Sequence, residues 1–566
     1  MVTGSYACGT SNIPLMGETI GAMLNRIAAE YPENEALVSV HQNIRWTYAE
    51  FLERVNGLAR SLMALGVERG DRVGIWAMNY AEWTLIQFAT AKIGAILVNI
   101  NPAYRVFELE YALKQAEVST LIVQGRFKTS DYVGMFYEAC PEAIDARPGR
   151  ISSEKFPFLK TVVFIGDIPY NGMYTWDEFM AKGASISPDE LMEREESLAF
   201  DDAINIQYTS GTTGYPKGVV LTHHGVMNNG YFIGEGMRFT EKDRLCIPVP
   251  FYHCFGMVLS NMASVTHGST MVIPCPVFDA EAVLMTVQNE RCTALHGVPT
   301  MFIAELSHPD FSKYDFSSLR TGIMAGSPCP IEVMKKVNAL MNMRDIVIVY
   351  GQTELSPGVT MTTVDDPLDR RVSTVGRAFP HTEIKIIDPN TKRILPRGEV
   401  GEICARGYMT MKCYYNNPSA SRATLDANGW LYTGDLGVMD EEGYVRMSGR
   451  LKEMVIRGGE NIYPREIEEF LHHHPRIADA YVIGVPDEKY GEELMAWVMP
   501  KEGQSVTPAE IIEFCTGQIA RFKIPKYYKF VTSFPMSVTG KIQKFKMRDM
   551  AIEELGLDTV SHIETA

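Results

Sequence analysis

The segment Tyr208-Thr-Ser-Gly-Thr-Thr-Gly-Tyr-Pro-Lys-Gly218 concentrates hydroxyls, glycines and a lysine in one short stretch. That mixture suits phosphate. Glycines such as Gly211 let backbone amides come close to phosphate oxygens. Thr209, Ser210, Thr212 and Thr213 can donate hydrogen bonds to those oxygens, and Lys217 supplies charge. A Walker A loop would read GxxxxGK[ST]. Here Pro216 precedes the lysine and Gly218 follows it, so this is a nucleotide phosphate loop of another kind. It follows Ala203–Gln207, which reads as a strand.

Further short motifs follow in order: Tyr350-Gly-Gln-Thr-Glu354, Tyr432-Thr-Gly-Asp435, Gly449-Arg-Leu-Lys-Glu453 and Thr539-Gly-Lys-Ile542. Together with the loop they resemble the ordered motifs of the adenylate-forming superfamily. That superfamily holds acyl-CoA synthetases, peptide-synthetase adenylation domains and firefly luciferases. The likeness covers roughly residues 20–550, and ordered motifs are far more specific than one. Within the superfamily, PFYHCFG (250–256), IMAGSP (323–328), RGGENIYP (457–464), FKIPKY (522–527) and GKIQKFK (540–546) are similar to the medium-chain acyl-CoA synthetases called family member 2.

The resemblance implies roles by position. ATP must be held with its α-phosphorus facing a carboxylate. Tyr350 offers a flat face for adenine, with the backbone of Gly326, Ser327, Pro328 and Gly351 beside it. Thr353 hydrogen-bonds the α-phosphate. Glu354, together with Thr209, corresponds to the magnesium site, and oxygen donors beside phosphates suit Mg²⁺. Asp435 accepts hydrogen bonds from the ribose hydroxyls, and Arg450 adds a ribose or phosphate contact. Lys541 corresponds to the lysine of the first step, where an ammonium bridging two anions is worth most in the transition state.

A second step passes the acyl group to the thiol of coenzyme A and expels AMP. By the same resemblance Lys452 is the hinge at which a small domain turns between steps, and Gly458 and Gly459 approach the pantetheine arm. His253 lines the acyl site or gates the path of the thiol. With it, Phe255, Gly256, Val298, Met324, Gly351 and Leu355 are the expected acyl-pocket walls, small or apolar as an uncharged tail requires. Medium-chain fatty acids are the implied substrates. Alicyclic and aromatic acids stay open, as do a carrier protein as acceptor and luciferase-like oxygenation.

These residues need a framework. Arg72–Trp76 and Ala95–Ile100 read as strands with the helix Ala81–Ile93 between them, a βαβ unit that implies parallel sheet. Similar strand patterns recur at 118–123, 161–165, 270–273 and 345–349. Runs at 383–387 and 401–405 are spaced differently and suggest an antiparallel or barrel-like part. The expected fold is therefore α/β. A large N-terminal domain (1–450) has parallel-rich sheets with flanking helices plus the barrel-like part. A small, mobile C-terminal α+β domain (451–566) begins at the hinge near Lys452.

Bulk properties set outer limits. A length of 566 residues exceeds one hydrophobic core. A net charge of −16 gives no general attraction to nucleic acid. One basic stretch, Arg521 to Arg548, carries eight Lys or Arg and no acidic residue; it reads either as a solvated face or as a contact for a phosphorylated ligand. The ten cysteines are scattered without metal-ligand spacing, which fits a reducing compartment. No secretory leader, presequence, retention tag or membrane span is read, so a cytoplasmic setting is expected. A homodimer stays open. His472-His-His474 reads as a surface helix end, since consecutive helical side chains diverge.

Overall fold

The structure, a computed structural model, describes residues 4–127, 130–209, 216–327, 329–457, 460–487, 490–516, 518–519, 521–536 and 542–557. Contacts group the chain into two units. One holds Ala7–Ile384 and Ala405–Leu431; the other holds Met1–Tyr6, Lys385–Cys404 and Tyr432–Ala566. The smaller unit thus takes in residues on both sides of position 450.

The larger unit is built on two sheets. In the first, the strands run in the order Met173–Tyr174, Thr161–Phe164, Thr120–Val123, Arg72–Trp76, Ile96–Asn99, Ala203–Thr209, Lys217–Thr222, Cys413–Tyr414. Pairing is parallel as far as Ala203–Thr209 and antiparallel beyond it. The expected βαβ unit is present. Its helix, Ala81–Lys92, is buried at every position but Glu82, which explains why its sequence is apolar almost throughout. Lys92 is tolerated there because its ammonium meets Glu195 at 2.9 Å and Asn25 Oδ1 at 2.6 Å.

The second sheet has nine strands, with a parallel centre that includes Thr321–Ala325 and Asp345–Gly351. Its strands carry continuous apolar runs, as strands covered on both faces do. Leu295, Phe302, Met324, Ile346 and Ile348 form part of the core on this sheet. In open α/β sheets ligands bind beyond the carboxyl ends of the strands. Thr209, Gly326 and Gly351 all stand at such ends.

The barrel-like part is the sheet that includes Gly401–Gly407, Leu431–Met439 and Val445–Arg450. The C-terminal residues form another sheet, from Val455–Arg457, Glu460–Ile462, Ile477–Asp487, Gly491–Pro500 and Tyr527–Phe530. The helices Pro464–Leu471, Pro508–Cys515 and Lys544–Leu555 accompany it. Val455, Ile467, Val482, Ala496 and Ile511 share its core. The helix Pro464–Leu471 starts on its proline, which occupies the first turn where its missing N–H costs nothing.

Candidate functional site

The phosphate-loop motif spans a hairpin. Strand Ala203–Thr209 pairs antiparallel with Lys217–Thr222, Tyr208 opposite Gly218 and Thr209 opposite Lys217. Lys217 therefore belongs to the return strand. A Cβ at Gly218 would come within 2.9 Å of Ile206 Cγ2, so the register requires glycine. The stem is fixed from outside: the Tyr208 hydroxyl lies 2.9 Å from Gln115 Oε1, and Tyr111 donates to Pro216 O at 2.8 Å. Ser210, Gly211, Thr212 and Thr213 lie outside the described residues.

Glu354 sits in a single turn, Thr353–Leu355, directly after strand Asp345–Gly351. The chain is tight here, since a Cβ at Gly351 would fall 1.7 Å from Pro357 O. Glu354 is only 8% exposed. Its Oε1 accepts from the Tyr414 hydroxyl at 2.8 Å and lies 3.5 Å from Thr209 Oγ1. Among the described residues it has no cationic partner. A buried carboxylate beside a threonine hydroxyl, with no cation of its own, fits a hard divalent ion. Lys217 Nζ stands 4.8 Å from the centre of the Tyr414 ring, and the same tyrosine lies across from Val219 in the neighbouring strand. Burial, reinforced by Glu354, pushes the Tyr414 phenol well up, so it stays a neutral donor. The structure thus brings Thr209, Lys217 and Glu354 to one place, around a residue that no motif marked.

The acyl-side candidates lie on the same unit. PFYHCFG leads into a wide π-helical coil, Phe255–Met262, a geometry frequent at functional sites. The His253 Nδ1 accepts from Phe255 N at 3.2 Å, which leaves Nε2 to carry the proton of the neutral ring. Cys254 Sγ is 3.7 Å from His253 Nδ1 and 3.7 Å from Thr353 Oγ1, so this cysteine touches two candidate residues. Gly326, at φ +89°, would place a Cβ 3.2 Å from Val298 Cγ1 and 4.0 Å from Phe255 Cδ1; these three converge. A Cβ at Gly256 would meet Pro250 O at 2.4 Å. Leu355 is fully buried in the Glu354 turn, and Tyr350, next to last in its strand, is 8% exposed. Met324 is fully buried and packs with Leu295 and Phe302. Beside Phe255 lies a pair the sequence reading missed. His296 Nδ1 is 2.9 Å from Ser260 Oγ, its ring is 5.6 Å from that of Phe255, and burial holds its pKa down at about 3.

In the smaller unit, Asp435 and Arg450 face each other across the hairpin of Leu431–Met439 and Val445–Arg450, with Nε 3.2 Å from Oδ1. The motif spacing is thus the length of a hairpin. Thr433 Oγ1 accepts from Asp435 N at 3.1 Å and donates to Ile403 O at 2.7 Å, holding the turn. Lys452 lies in the turn Leu451–Glu453. Gly458 and Gly459 are outside the described residues, between strands that pair with Arg457 opposite Glu460. Pro328 and Lys541 are outside them too. The basic stretch is largely neutralised: Lys523, Lys526, Lys529, Lys544 and Arg548 pair with Glu466, Asp487, Glu554, Glu468 and Glu492. His474 is buried at 5% exposure against Phe514, not on the surface, and the described residues contain no metal-binding cluster.

Comparison with known proteins places the chain in a family. Residues 24–415 match the family described as AMP-binding enzyme, and residues 466–541 match the AMP-binding enzyme C-terminal domain. The chain is 53% identical to YngI of Bacillus subtilis (strain 168), named as an acyl-CoA synthetase, over 96% of this chain and 99% of that one. It is 44% identical to the medium-chain acyl-CoA ligase ACSF2, mitochondrial, of Danio rerio, over 98% and 92%. Among solved structures, ATP-bound MatB from Rhodopseudomonas palustris superposes with a TM-score of 0.81 at 28% identity, covering 95% of this chain and 100% of that one. The anthranilate CoA ligase AuaEII with anthranoyl-AMP gives 0.81 at 26%, covering 96% and 99%. This chain belongs to the AMP-binding, adenylate-forming enzymes and is an AMP-forming acid–CoA ligase.

Proposed function

We propose that the acid is a medium-chain fatty acid. Its carboxylate attacks the α-phosphorus of ATP, forming acyl-adenylate and releasing pyrophosphate. The thiol of coenzyme A then attacks the acyl carbonyl, AMP leaves with its electron pair, and the thiol proton goes to solvent. The observation that carries the first step is Glu354, buried without a cation partner among the described residues, 3.5 Å from Thr209 in the hairpin that also holds Lys217. Glu354 and Thr209 would hold Mg²⁺, which neutralises phosphate charge when bound. Lys217 offers charge to the phosphates, Thr353 a hydroxyl to the α-phosphate, and Tyr350 a face for adenine. Asp435 and Arg450 take the ribose. Lys541 serves the first step; Lys452, Gly458 and Gly459 serve the second.

Identity to chains named medium-chain ligases, 41–44% over almost the whole length, supports the acid. Small or apolar side chains at Phe255, Gly256, Val298 and Leu355 suit such a tail. The test is AMP and pyrophosphate release across short- to long-chain fatty acids, cyclohexane carboxylate and benzoate, with and without CoA. Octanoate should lead, with its CoA thioester as product. No thioester from any acid overturns the reading. The anthranilate ligase among the structural relatives favours an aromatic acid as the second reading, and benzoate outrunning octanoate would select it. A homodimer and a cytoplasmic setting belong to the same proposal, to be checked by sedimentation and fractionation. No described helix is long and apolar enough to cross a membrane.

A further inference from the structure

We infer that Tyr414 is a positioning residue that keeps Glu354 and Lys217 apart and sets each for a different part of the Mg²⁺·nucleotide. The inference rests on the reading of Glu354 and Thr209 as the magnesium site. Glu354 and Lys217 carry opposite charges at one end of adjoining segments. Left to themselves, such groups pair and cancel. No ion pair joins them. Instead the tyrosine stands between them with two different surfaces. Its hydroxyl edge donates to Glu354 Oε1 at 2.8 Å, and its ring face carries the Lys217 ammonium at 4.8 Å from the centroid.

The placement is enforced by the fold. Tyr414 is 4% exposed, and the short strand Cys413–Tyr414 pairs with the phosphate-hairpin strand, Tyr414 opposite Val219. Further backbone bonds tie both segments down: Tyr415 N donates to Gly218 O at 2.7 Å, and Met411 N donates to Glu354 O at 2.9 Å. One hydrogen bond fixes the carboxylate so that Oε2 remains for a metal, the usual service of an outer partner to a metal-binding group. One cation–π contact holds the lysine without neutralising it, so its charge stays available to phosphate.

The test separates these two duties. Affinity for α,β-methylene-ATP is measured by calorimetry with Mg²⁺ and in EDTA, and the ratio of the two is the readout. Tyr414→Phe keeps the ring and drops the hydroxyl; the ratio should fall about 10-fold, with affinity in EDTA unchanged. Tyr414→Leu removes both surfaces, so affinity in EDTA should fall as well. A double-mutant cycle with Glu354→Gln guards against general instability: once Glu354 is neutral, Tyr414→Phe should leave the ratio unchanged. An unaltered ratio in Tyr414→Phe, or equal effects in both backgrounds, overturns the inference. A wild-type protein whose nucleotide affinity gains nothing from Mg²⁺ overturns the magnesium reading and this inference with it.

Discussion

Charge is handled in opposite ways by the two units. In the larger one, Glu354 is buried and, among the described residues, holds only hydroxyl partners for its carboxylate, Tyr414 at 2.8 Å and Thr209 at 3.5 Å. In the smaller one, a stretch dense in lysine and arginine spends most of its charge on carboxylates elsewhere in the same unit. Lys544, for example, lies 2.7 Å from Glu468 and 3.3 Å from Glu453. A charge kept buried without a counter-ion is costly unless something outside the chain completes it. A charge already matched does structural work. The difference teaches that the number of charges in a segment is a poor guide to ligand binding, and that the unmatched ones are the informative ones.

The strongest way to break the comparison is through Lys541, a cation of the basic stretch assigned to chemistry. Lys541→Ala should slow adenylate formation on the order of 10²–10³-fold while supplied acyl-adenylate is still converted to thioester. Pyrophosphate release and thioester formation, measured separately, decide it; equal loss in both would place Lys541 with its structural neighbours. Next is the unmatched carboxylate. Glu354→Gln keeps the shape and removes the charge, and should lower adenylation on the order of 10²-fold while the thermal midpoint holds or rises. A clear drop in that midpoint would show that the carboxylate serves the fold.

The contrast also marks what could be read in advance. The strands and helix over 72–100 were legible because a fully buried βαβ unit leaves continuous apolar runs bounded by turns. The candidate phosphate loop was picked out because phosphate demands glycines and hydroxyls in close order, and its residues 210–215 lie outside the described ones. Tyr414 was not: Cys413-Tyr414-Tyr415 has no chemical spacing, and its meaning comes from pairing with Val219, almost two hundred residues earlier. Lys217 was placed in a loop because local sequence does not show that the return strand begins there. The partners of the basic stretch, and of His296 and Ser260, are likewise set by tertiary register. His472-His-His474 was read as a surface helix end, and His472 and His473 are exposed, but His474 is buried against Phe514.

A smaller effect sharpens the structural side. Lys544→Met leaves Glu468 and Glu453 without their shared cation. The cluster is only partly shielded, the Lys544 side chain being 14% exposed, so the loss should be about 2 kcal/mol rather than that of a fully buried pair. Burial lowers the Lys544 pKa, but Glu468 and Glu453 outweigh it and raise it above the ordinary 10.5. A raised lysine stabilises fully below its unfolded value and loses that contribution as pH climbs through the folded one. The difference between wild type and Lys544→Met in denaturant unfolding should therefore be constant through neutral pH and shrink only above about pH 10.5. Shrinkage nearer neutrality would mean that the clasp is not what holds this segment.

The smallest effect lies at the other end of the pH scale, in the larger unit. His223 and His296 are fully buried, and desolvation holds them at about 4 and about 3, against 6.5 when unfolded. Both are neutral in the fold. A depressed pKa of this kind leaves stability intact above 6.5 and drains it as pH falls towards the folded value, because the unfolded chain takes up protons that the folded one refuses. At pH 6 the cost is under about 1 kcal/mol for each ring, and it grows with further acidification. His296→Asn should remove one of the two contributions, so between pH 7.5 and pH 6 its stability should fall less steeply than that of the wild type, by under about 1 kcal/mol. The comparison is of slopes, so any constant loss from replacing the ring beside Ser260 drops out. Parallel slopes would mean that His296 takes up its proton at about the same pH in the folded and unfolded chains, so that burial does not hold it neutral.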